Sequence, residues 1–336
     1  MKVFLQSKID SFNFIILLKK QSVVEYFLAI IGAIISVYAL LPISKDGDAY
    51  LQIYENIAEH PEIEFLFRKL LELGAALEVT FSSVLFTLIF LTLLVKFKAL
   101  NKLGFSSIYA LVTYIAVFYL MHDCTQYRIA IALAFSLWSC IYIVERKWLY
   151  AFLTFLVGVG FHITSLVLPI VFAACFVNKT VKNLSWLFLL VGIIIFQIKV
   201  SVKNLLIDPV LYFFGGRYID YGATLVENQN SSGFIFIYAA ALGTLLSCIA
   251  IWGRISSRTI PDLYSVYLAC CVYGCGLIFV CYEAVAFASR LSDVLTILIV
   301  PLLAIVISNF KIVFQLTYLL ILPVVFVARV FQLFVY

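Results

Sequence analysis

The chain has 336 residues, of which 65% are hydrophobic and only 12% are charged, with a formal net charge of +5 and a mean hydropathy of +1.11. This composition excludes an ordinary soluble domain. The positive charges are scattered among short connectors, so they indicate membrane orientation rather than a nucleic-acid partner. We therefore expect an all-α, polytopic membrane protein that forms one integral membrane domain over residues 1–336.

The first 22 residues mix polar and apolar positions and carry Lys2, Lys8, Lys19 and Lys20. The apolar stretch that follows, residues 23–41, is too long for a cleaved signal and is not followed by a small-x-small cleavage site. We expect an interfacial amphipathic start and then an uncleaved first span.

Long continuous apolar runs, rather than ten-residue alternation, favour membrane-spanning helices over a β-barrel. The runs are 23–42, 79–95, 105–121, 127–144, 148–161, 163–177, 184–200, 234–252, 263–282, 291–308 and 312–331. They predict about eleven crossings.

Residues 148–177 form either one long tilted helix or two short helices that meet near His162. The two-helix interpretation places most of the basic connectors on one face of the membrane, as the positive-inside rule requires. Those connectors are the N-terminus, Lys96/Lys98/Lys102, Arg146/Lys147, Lys179/Lys182, Arg254/Arg258 and Lys311. We therefore place His162 at a break that faces the outer side, where irregular backbone must line protein or water.

Two outer loops are longer than a connector needs to be. The loop 43–78 contains an amphipathic pattern that predicts a helix along the membrane surface. Its apolar positions are Ile63, Phe67, Leu70, Leu73 and Leu77, and its charged positions are Glu64, Arg68 and Glu72. The loop 201–233 is of a length that is commonly functional or disordered.

Most of the eight cysteines lie inside apolar runs and are expected to fill the core, and no paired C-x-x-C or nearby histidine indicates a zinc site. The sequence contains no P-loop, Gly-x-Gly-x-x-Gly or His-Glu-x-x-His motif, no internal repeat and no carboxylate cage. We expect a chemistry that uses neither a metal nor a cofactor.

Acidic and aromatic residues alternate directly after the first span. Asp48, Tyr50 and Tyr54 follow Asp46 at what we expect to be a wet membrane edge. Carboxylates bond sugar hydroxyls and aromatic rings stack on sugar C–H faces, so the set suits a carbohydrate. An aromatic belt beside a solvated acidic loop is the alternative.

Two arginines open apolar runs on the outer side. Arg128 follows Asp123 by five residues, and Arg290 precedes the run 291–308. An arginine near a helix centre costs roughly 2.5–3.5 kcal/mol on insertion scales, which makes such a cation a functional-site hypothesis. Together the two guanidinium groups would form a diphosphate clamp. Arg128 could instead extend to the interface or pair with Asp123.

His162 is either a core histidine that bonds a neighbour or, beside Thr164 and Ser165, a general base or a group that positions a hydroxyl. The loop 201–233 offers one further cation and two aromatic residues that cap the cavity or form a solvated surface. These are Arg217, Tyr218 and Tyr221.

The order of these features over about residues 45–300 resembles the EpsG family of Wzy-type polymerases of bacterial surface polysaccharide. The matching elements are Asp-x-Tyr-x-x-x-Tyr at 48–54, Arg-Ile-Ala-x-Ala at 128–132, Phe-His-x-x-Ser at 161–165, the Tyr-rich outer loop and the late Arg-Leu at 290–291. The chain departs from the family at Glu62-Ile-Glu64-Phe65, where such proteins tend to have a Glu-Pro-Gly-like turn. We therefore assign no role to Glu62 or Glu64.

The resemblance implies polymerisation of undecaprenyl-diphosphate-linked repeat units on the outer face of the bacterial cytoplasmic (inner) membrane, with a cytoplasmic N-terminus. Arg128 and Arg290 would stabilise the departing lipid diphosphate, and His162 would activate or position the acceptor hydroxyl. Asp48, Tyr50 and Tyr54 would hold sugar, and Arg217 would engage a second lipid diphosphate or the growing chain. Asp123, Tyr218 and Tyr221 would complete the substrate-binding set, and Asp48 and Asp123 remain alternatives to His162 as the base. A GT-C-like arrangement of the spans is compatible with this reaction. A chain-length regulator and a flippase are candidate partners.

Other functions remain compatible with the same residues. A ligase or a glycosyltransferase that uses lipid-linked sugars would share the cavity and its arginines. A flippase for lipid-linked oligosaccharide belongs to a different class and would distribute charges through a pore, whereas here they gather at one face. An assembly partner without catalysis would not need cations beside the bilayer core.

Overall fold

The computed structural model describes residues 23–43, 47–60, 63–104, 108–201, 229–255, 262–310, 315–323, 325 and 327. Within these residues all regular secondary structure is helical and no strand occurs. The all-α prediction is therefore confirmed over the part of the chain that is described. The N-terminal 22 residues and the loop residues 202–228 lie outside it.

The helices follow the predicted apolar runs closely. Helix α1 covers Val23–Leu40 and ends in a π-helical turn at Ile35–Leu40. The following helices are α2 (Gly47–Glu55), α3 (Phe65–Ala76), α4 (Phe81–Gly104), α5 (Ile108–Tyr114, continued by a π-helical turn at Ile115–Tyr119 and by Leu120–His122), α6 (Tyr127–Val144) and α7 (Trp148–Phe161). The remaining helices are α8 (Val167–Val177), α9 (Lys179–Ile198), α10 (Gln229–Ile255), α11 (Asp262–Val280), α12 (Val285–Thr296), α13 (Ile299–Ser308) and α14 (residues 315–323).

Seven stretches of the described chain are long and apolar enough to cross a membrane, which makes this a multi-pass membrane protein. They are Val23–Leu40, Phe81–Leu103, Tyr127–Val144, Lys179–Ile198, Ile235–Gly253, Leu263–Val280 and Phe287–Ser308. The apolar helices at Tyr109–His122, Trp148–Phe161 and Ile163–Val177 are shorter. The predicted total of about eleven crossings and the GT-C-like arrangement stay predictions.

Burial separates central helices from peripheral ones. In the span of α6, 72% of the residues are buried inside the protein, and in α11 and in the span of α12 and α13 the share is 78%. The corresponding shares are 17% in α9, 22% in α10 and 28% in α1, although these helices are equally apolar. Apolar surface that the protein leaves uncovered suits contact with lipid, so the peripheral helices fit the rim of a bundle built around α6 and α11.

The chain breaks at His162, as the loop charges predicted. Helix α7 ends at Phe161, His162 is extended with φ −162° and ψ 127°, and a 3₁₀ turn at Ile163–Leu166 leads into α8. Pro169 in the first turn of α8 has no N–H to give to the carbonyl of Ser165. The hydroxyl of Ser136 on α6 donates to that carbonyl instead, at 3.2 Å. The break is thereby tied to the central helix.

A second break was missed by the single predicted run 291–308. Helix α12 ends at Thr296 and α13 begins at Ile299, because Pro301 cannot donate to the carbonyl of Ile297. The N–H of Val300 donates to that carbonyl at 3.1 Å and tightens the chain there into a turn.

The loop 43–78 contains the predicted helix, α3, but the buried face of this helix differs from the predicted one. Ile63, Phe67 and Leu71 point inward, whereas Leu73 and Leu77 are 55% and 65% exposed. Residue Gly160 of α7 approaches α3 so closely that a Cβ atom there would lie 2.6 Å from Cδ1 of Leu66. Helix α3 therefore packs directly against α7, the helix that ends just before His162.

Candidate functional site

Arg128 lies in the first turn of α6, and its guanidinium pairs with a carboxylate from a distant part of the chain. Its Nη1 donates to Oε2 of Glu64 at 2.6 Å, which is a charge-assisted hydrogen bond. The side chain of Glu64 is 7% exposed and that of Arg128 is 22% exposed. Arg128 thus pairs with Glu64 and not with Asp123, the partner suggested by the sequence.

His162 faces the same carboxylate. Its Nε2 lies 3.9 Å from Oε1 of Glu64, which is beyond hydrogen-bond distance, and its side chain is 4% exposed. Arg128, Glu64 and His162 together form what we call the Arg–Glu–His cluster. The structure therefore brings two of the three predicted reactive side chains to one point, with Glu64 between them.

Contacts of the other ring nitrogen determine which nitrogen of His162 carries the proton. The backbone N–H of Thr164 donates to Nδ1 at 3.3 Å, and the hydroxyl of Thr164 lies 2.7 Å from the same atom. A nitrogen that accepts an N–H bond carries no proton, so the neutral ring has its proton on Nε2, directed at Glu64. In this tautomer His162 presents an N–H toward the site without yet donating to Glu64, because the 3.9 Å separation exceeds hydrogen-bond distance. That arrangement fits the positioning role better than the general-base role.

An aromatic wall closes the cluster on one side. The Cζ of Arg128 lies 5.9 Å from the ring centroid of Tyr50, within cation–π distance. Tyr50 is 7% exposed and packs against the rings of Phe67 and Tyr127. The predicted sugar-binding ring of Tyr50 is thus held inside the protein, where it orients the guanidinium of Arg128.

Arg290 lies half-buried on α12. The next residue, Leu291, belongs to a buried group that packs against Ile163 and Val167. The helix that carries Arg290 therefore lies against the turn that follows His162. The sharing of one ligand by Arg290 and Arg128 remains a proposal.

Asp123 belongs to a different and fully buried cluster. Its Oδ1 accepts a hydrogen bond from Nζ of Lys96 at 2.8 Å, and its Oδ2 accepts one from the hydroxyl of Tyr114. Lys96 also donates to the hydroxyl of Tyr114 at 2.8 Å, and the side chains of Lys96 and Asp123 are both 0% exposed. A carboxylate saturated in this way offers no contact to sugar in this structure. Lys96, which the sequence assigned to a basic connector, is instead a core residue.

The turn between Asp123 and Arg128 is held by backbone contacts as well. Ser36 donates to the carbonyl of Asp123 at 2.5 Å, and the hydroxyl of Tyr127 donates to the carbonyl of Cys124 at 2.9 Å. Burial raises the pKa of the Cys124 thiol to about 12, so this cysteine is a neutral packing group and not a nucleophile. The start of α6, including Arg128, is thereby anchored to α1 and α4.

The other predicted contact residues lie at the edge of the site or outside the described chain. Asp48 is exposed in the first turn of α2. The hydroxyl of Tyr54 donates to the carbonyl of Val79 at 2.5 Å and so ties α2 to the start of α4. Arg217, Tyr218 and Tyr221 lie outside the described residues, and their roles stay predictions.

No metal cluster competes with this site in the described part of the chain. Among those residues no group of three His, Cys, Asp or Glu side chains could hold a metal ion. A cavity of about 610 Å³ lies between α5, α10, α13 and α14 and is lined mainly by apolar side chains such as Leu242, Trp252 and Leu303. Its lining includes no member of the Arg–Glu–His cluster.

Two central residues were missed by the sequence reasoning. Glu64 followed the i, i+4 pattern of a solvated face, and nothing local connects it to Arg128, which is 64 residues away. Lys96 did leave a signal, because it lies inside a long apolar run next to Phe97, Ala99 and Leu100, all of which are buried.

Comparison with protein families identifies the chain, whereas comparison with curated proteins and with solved structures found no match. The family model described as the EpsG family matches residues 23–336, nearly the whole chain. This match confirms the resemblance that the order of motifs indicated. The chain therefore belongs to the EpsG family, a family of Wzy-like polysaccharide polymerases.

Proposed function

We propose that this protein joins undecaprenyl-diphosphate-linked oligosaccharide repeat units into a surface polysaccharide, on the outer face of the bacterial cytoplasmic membrane. Membership of the EpsG family supports the reaction class. The observation that carries the chemistry is at Arg128, whose Nε is buried and has no hydrogen-bond acceptor within the described residues. Because a buried donor without an acceptor is costly, Arg128 is built to receive an anionic group.

The reaction transfers a growing glycan to the next repeat unit. A hydroxyl oxygen of the acceptor sugar attacks the anomeric carbon of the donor glycan, and the bond from that carbon to the lipid diphosphate breaks. The electron pair of that bond goes to the diphosphate. Because negative charge develops on the leaving group, a fixed guanidinium lowers the barrier more than it tightens ground-state binding.

The remaining residues receive supporting roles in this proposal. Arg128 and Arg290 bind the leaving diphosphate, and His162 orients the acceptor side through its Nε2–H. Asp48 contacts sugar from the exposed end of α2. Arg217, Tyr218 and Tyr221 would close the site from the long outer loop, with Arg217 on a second lipid diphosphate or the growing chain. The reaction needs no metal, so polymer should form at full rate in excess chelator.

The direct test gives the purified protein lipid-linked repeat units and separates the products by size. Polymerisation predicts a ladder of chain lengths. A single addition product would indicate a ligase or a single-sugar transferase, and movement of lipid-linked oligosaccharide across vesicles without any product would indicate a flippase. Either result would overturn the polymerase assignment.

Two conservative variants test the diphosphate clamp. Arg128→Lys and Arg290→Lys keep the charge but lose the planar two-pronged donor, so each should lower the polymerisation rate by about 10²–10³-fold, as loss of one transition-state donor does elsewhere. Arg146→Lys is the matched control, because Arg146 is exposed in the turn between α6 and α7. Full polymer from both test variants at normal expression would refute the clamp.

A further inference from the structure

The carboxylate of Glu64 stands between two hydrogen-bond donors, of which only Arg128 lies within hydrogen-bond distance. One oxygen is held by Arg128 at 2.6 Å, while the other lies 3.9 Å from Nε2 of His162. A movement of about 1 Å would bring the second pair into hydrogen-bond distance. In this structure Glu64 is therefore held on Arg128, and His162 faces its other oxygen.

Glu64 is directed away from its own helix. It is the N-cap residue of α3, where a side-chain oxygen commonly accepts from the first backbone N–H groups, yet its side chain makes no cap hydrogen bond. Only its backbone carbonyl takes part, accepting from the N–H of Arg68 at 2.9 Å. The carboxylate is thus committed to the Arg–Glu–His cluster, and the close approach of Leu66 to Gly160 sets its position against α7.

His162 in this tautomer cannot take a proton at Nε2, so another residue must act as the base for the acceptor hydroxyl. Since Nδ1 accepts from Thr164, the neutral ring presents N–H at Nε2 and has no lone pair to offer there. Glu64 is the only carboxylate that the structure places between Arg128 and His162 among the described residues. It can accept a proton through one oxygen while the other accepts the N–H of His162.

We propose that Glu64 is the general base of the reaction, an inference that rests on the proposed polymerisation. Binding of the lipid diphosphate to Arg128 would release Glu64 from the guanidinium and so allow it to act as the base. The diphosphate carries more negative charge than one carboxylate and displaces Glu64 from the guanidinium. Glu64 then moves to His162, whose Nε2–H holds one oxygen. The other oxygen takes the proton of the acceptor hydroxyl as the sugar oxygen bonds to the anomeric carbon and the diphosphate departs with the bonding electrons.

This arrangement makes base activation conditional on the leaving group. Paired with Arg128, the carboxylate of Glu64 lies beyond hydrogen-bond distance of His162 Nε2 and is not yet placed to take a proton. While the donor site is empty, Glu64 is therefore held by Arg128 and the hydroxyl of a bound acceptor is not activated. Arrival of the diphosphate provides the leaving group and the base together.

Glu64→Gln removes the charge at nearly constant size and separates a base from a structural counter-ion. We expect kcat for polymerisation to fall by about 10²–10⁴-fold, the usual contribution of a general base, while KM for the lipid-linked donor changes little. Inorganic pyrophosphate should bind the variant at least as tightly as the wild type, since its internal competitor at Arg128 is gone. Glu72→Gln is the matched control on the same helix, because Glu72 pairs only on the surface with Arg68 and Lys69.

A folded Glu64→Gln protein that keeps its kcat within about threefold would overturn the base role, and so would one that loses pyrophosphate binding together with activity. Should this variant not fold, Glu64→Asp keeps the charge but shortens the reach. It should retain pyrophosphate binding within about threefold and lose at least about tenfold in kcat, and full kcat from it would overturn the proposal. Absence of polymer from the wild type would instead remove the proposed function itself, whereas the pyrophosphate measurements would still test the displacement of Glu64.

Discussion

Replacement of Lys96 by methionine tests the structural importance of the buried Lys96–Asp123 pair. The two side chains are fully buried, with Nζ and Oδ1 2.8 Å apart. At an effective dielectric constant of about 20, charges at this distance attract by roughly 6 kcal/mol. Because Lys96→Met leaves the carboxylate of Asp123 buried with only the hydroxyl of Tyr114 beside it, we expect a loss of about 3–5 kcal/mol in stability, as for other broken buried pairs.

A double replacement distinguishes lost attraction from simple loss of packing. Lys96→Met combined with Asp123→Leu removes both charges and keeps apolar volume, a change that is often neutral or even stabilising. The double variant should therefore be more stable than either single variant. Lys98→Met, two residues along the same helix at an exposed position, is the control and should behave as the wild type.

The assay is thermal unfolding of the variants, all purified in the same detergent. After heating to a series of temperatures, the remaining height of the monodisperse peak is measured by size-exclusion chromatography. At roughly 2–4 °C per kcal/mol for domains of comparable size, the single variants should melt about 10 °C lower. A Lys96→Met protein as stable as the wild type would refute the reasoning, because it would show that the ion pair contributes nothing to the folded state.

Three smaller predictions concern two neighbours of the cluster and one ion pair at the opposite end of α6. Gly160→Ala should lower polymerisation several-fold by pushing on Leu66, and the additional change Leu66→Ala should restore it in the same ladder assay. Thr164→Val removes the hydroxyl contact to the His162 ring but leaves the backbone donor, so kcat should fall by no more than about tenfold. Hydrogen bonds from lysine lower the pKa of Glu145, so its small stabilising effect should be present above about pH 4.5 and be lost as the pH falls through the lowered value. Melting at pH 6 and pH 3.5 should therefore differ less in Glu145→Gln than in the wild type.

The helices were predictable because lipid allows so few backbone arrangements. A continuous apolar run must satisfy its own backbone hydrogen bonds, so each predicted run that the structure describes became helical. The break at His162 was also predictable, since the loop charges required a reversal there. The break before Ile299 was missed although Pro301 marks it, because the apolar run continues without interruption through that point.

Side-chain pairing was far less predictable, because it depends on contacts between distant parts of the chain. The charge pattern of α3 is the same whether Glu64 faces water or Arg128, and only the packing of α3 on α7 decides between them. Lys96 illustrates the opposite error. The positive-inside rule describes lysines in loops, and it fails for a lysine whose partner, Asp123, is itself buried.

The two ion pairs on either side of the turn before α6 differ in one property that bears on function. The Lys96–Asp123 pair is sealed from solvent, whereas Arg128 is 22% exposed and its partner Glu64 comes from the short helix α3. A ligand can replace a counter-ion only where it can reach the pair, so only the Arg128 pair is exchangeable. Because the sealed pair anchors the chain five residues before Arg128, it would hold the guanidinium in place during the proposed movement of Glu64. A stable cation and a movable carboxylate are what a transfer reaction with a diphosphate leaving group requires.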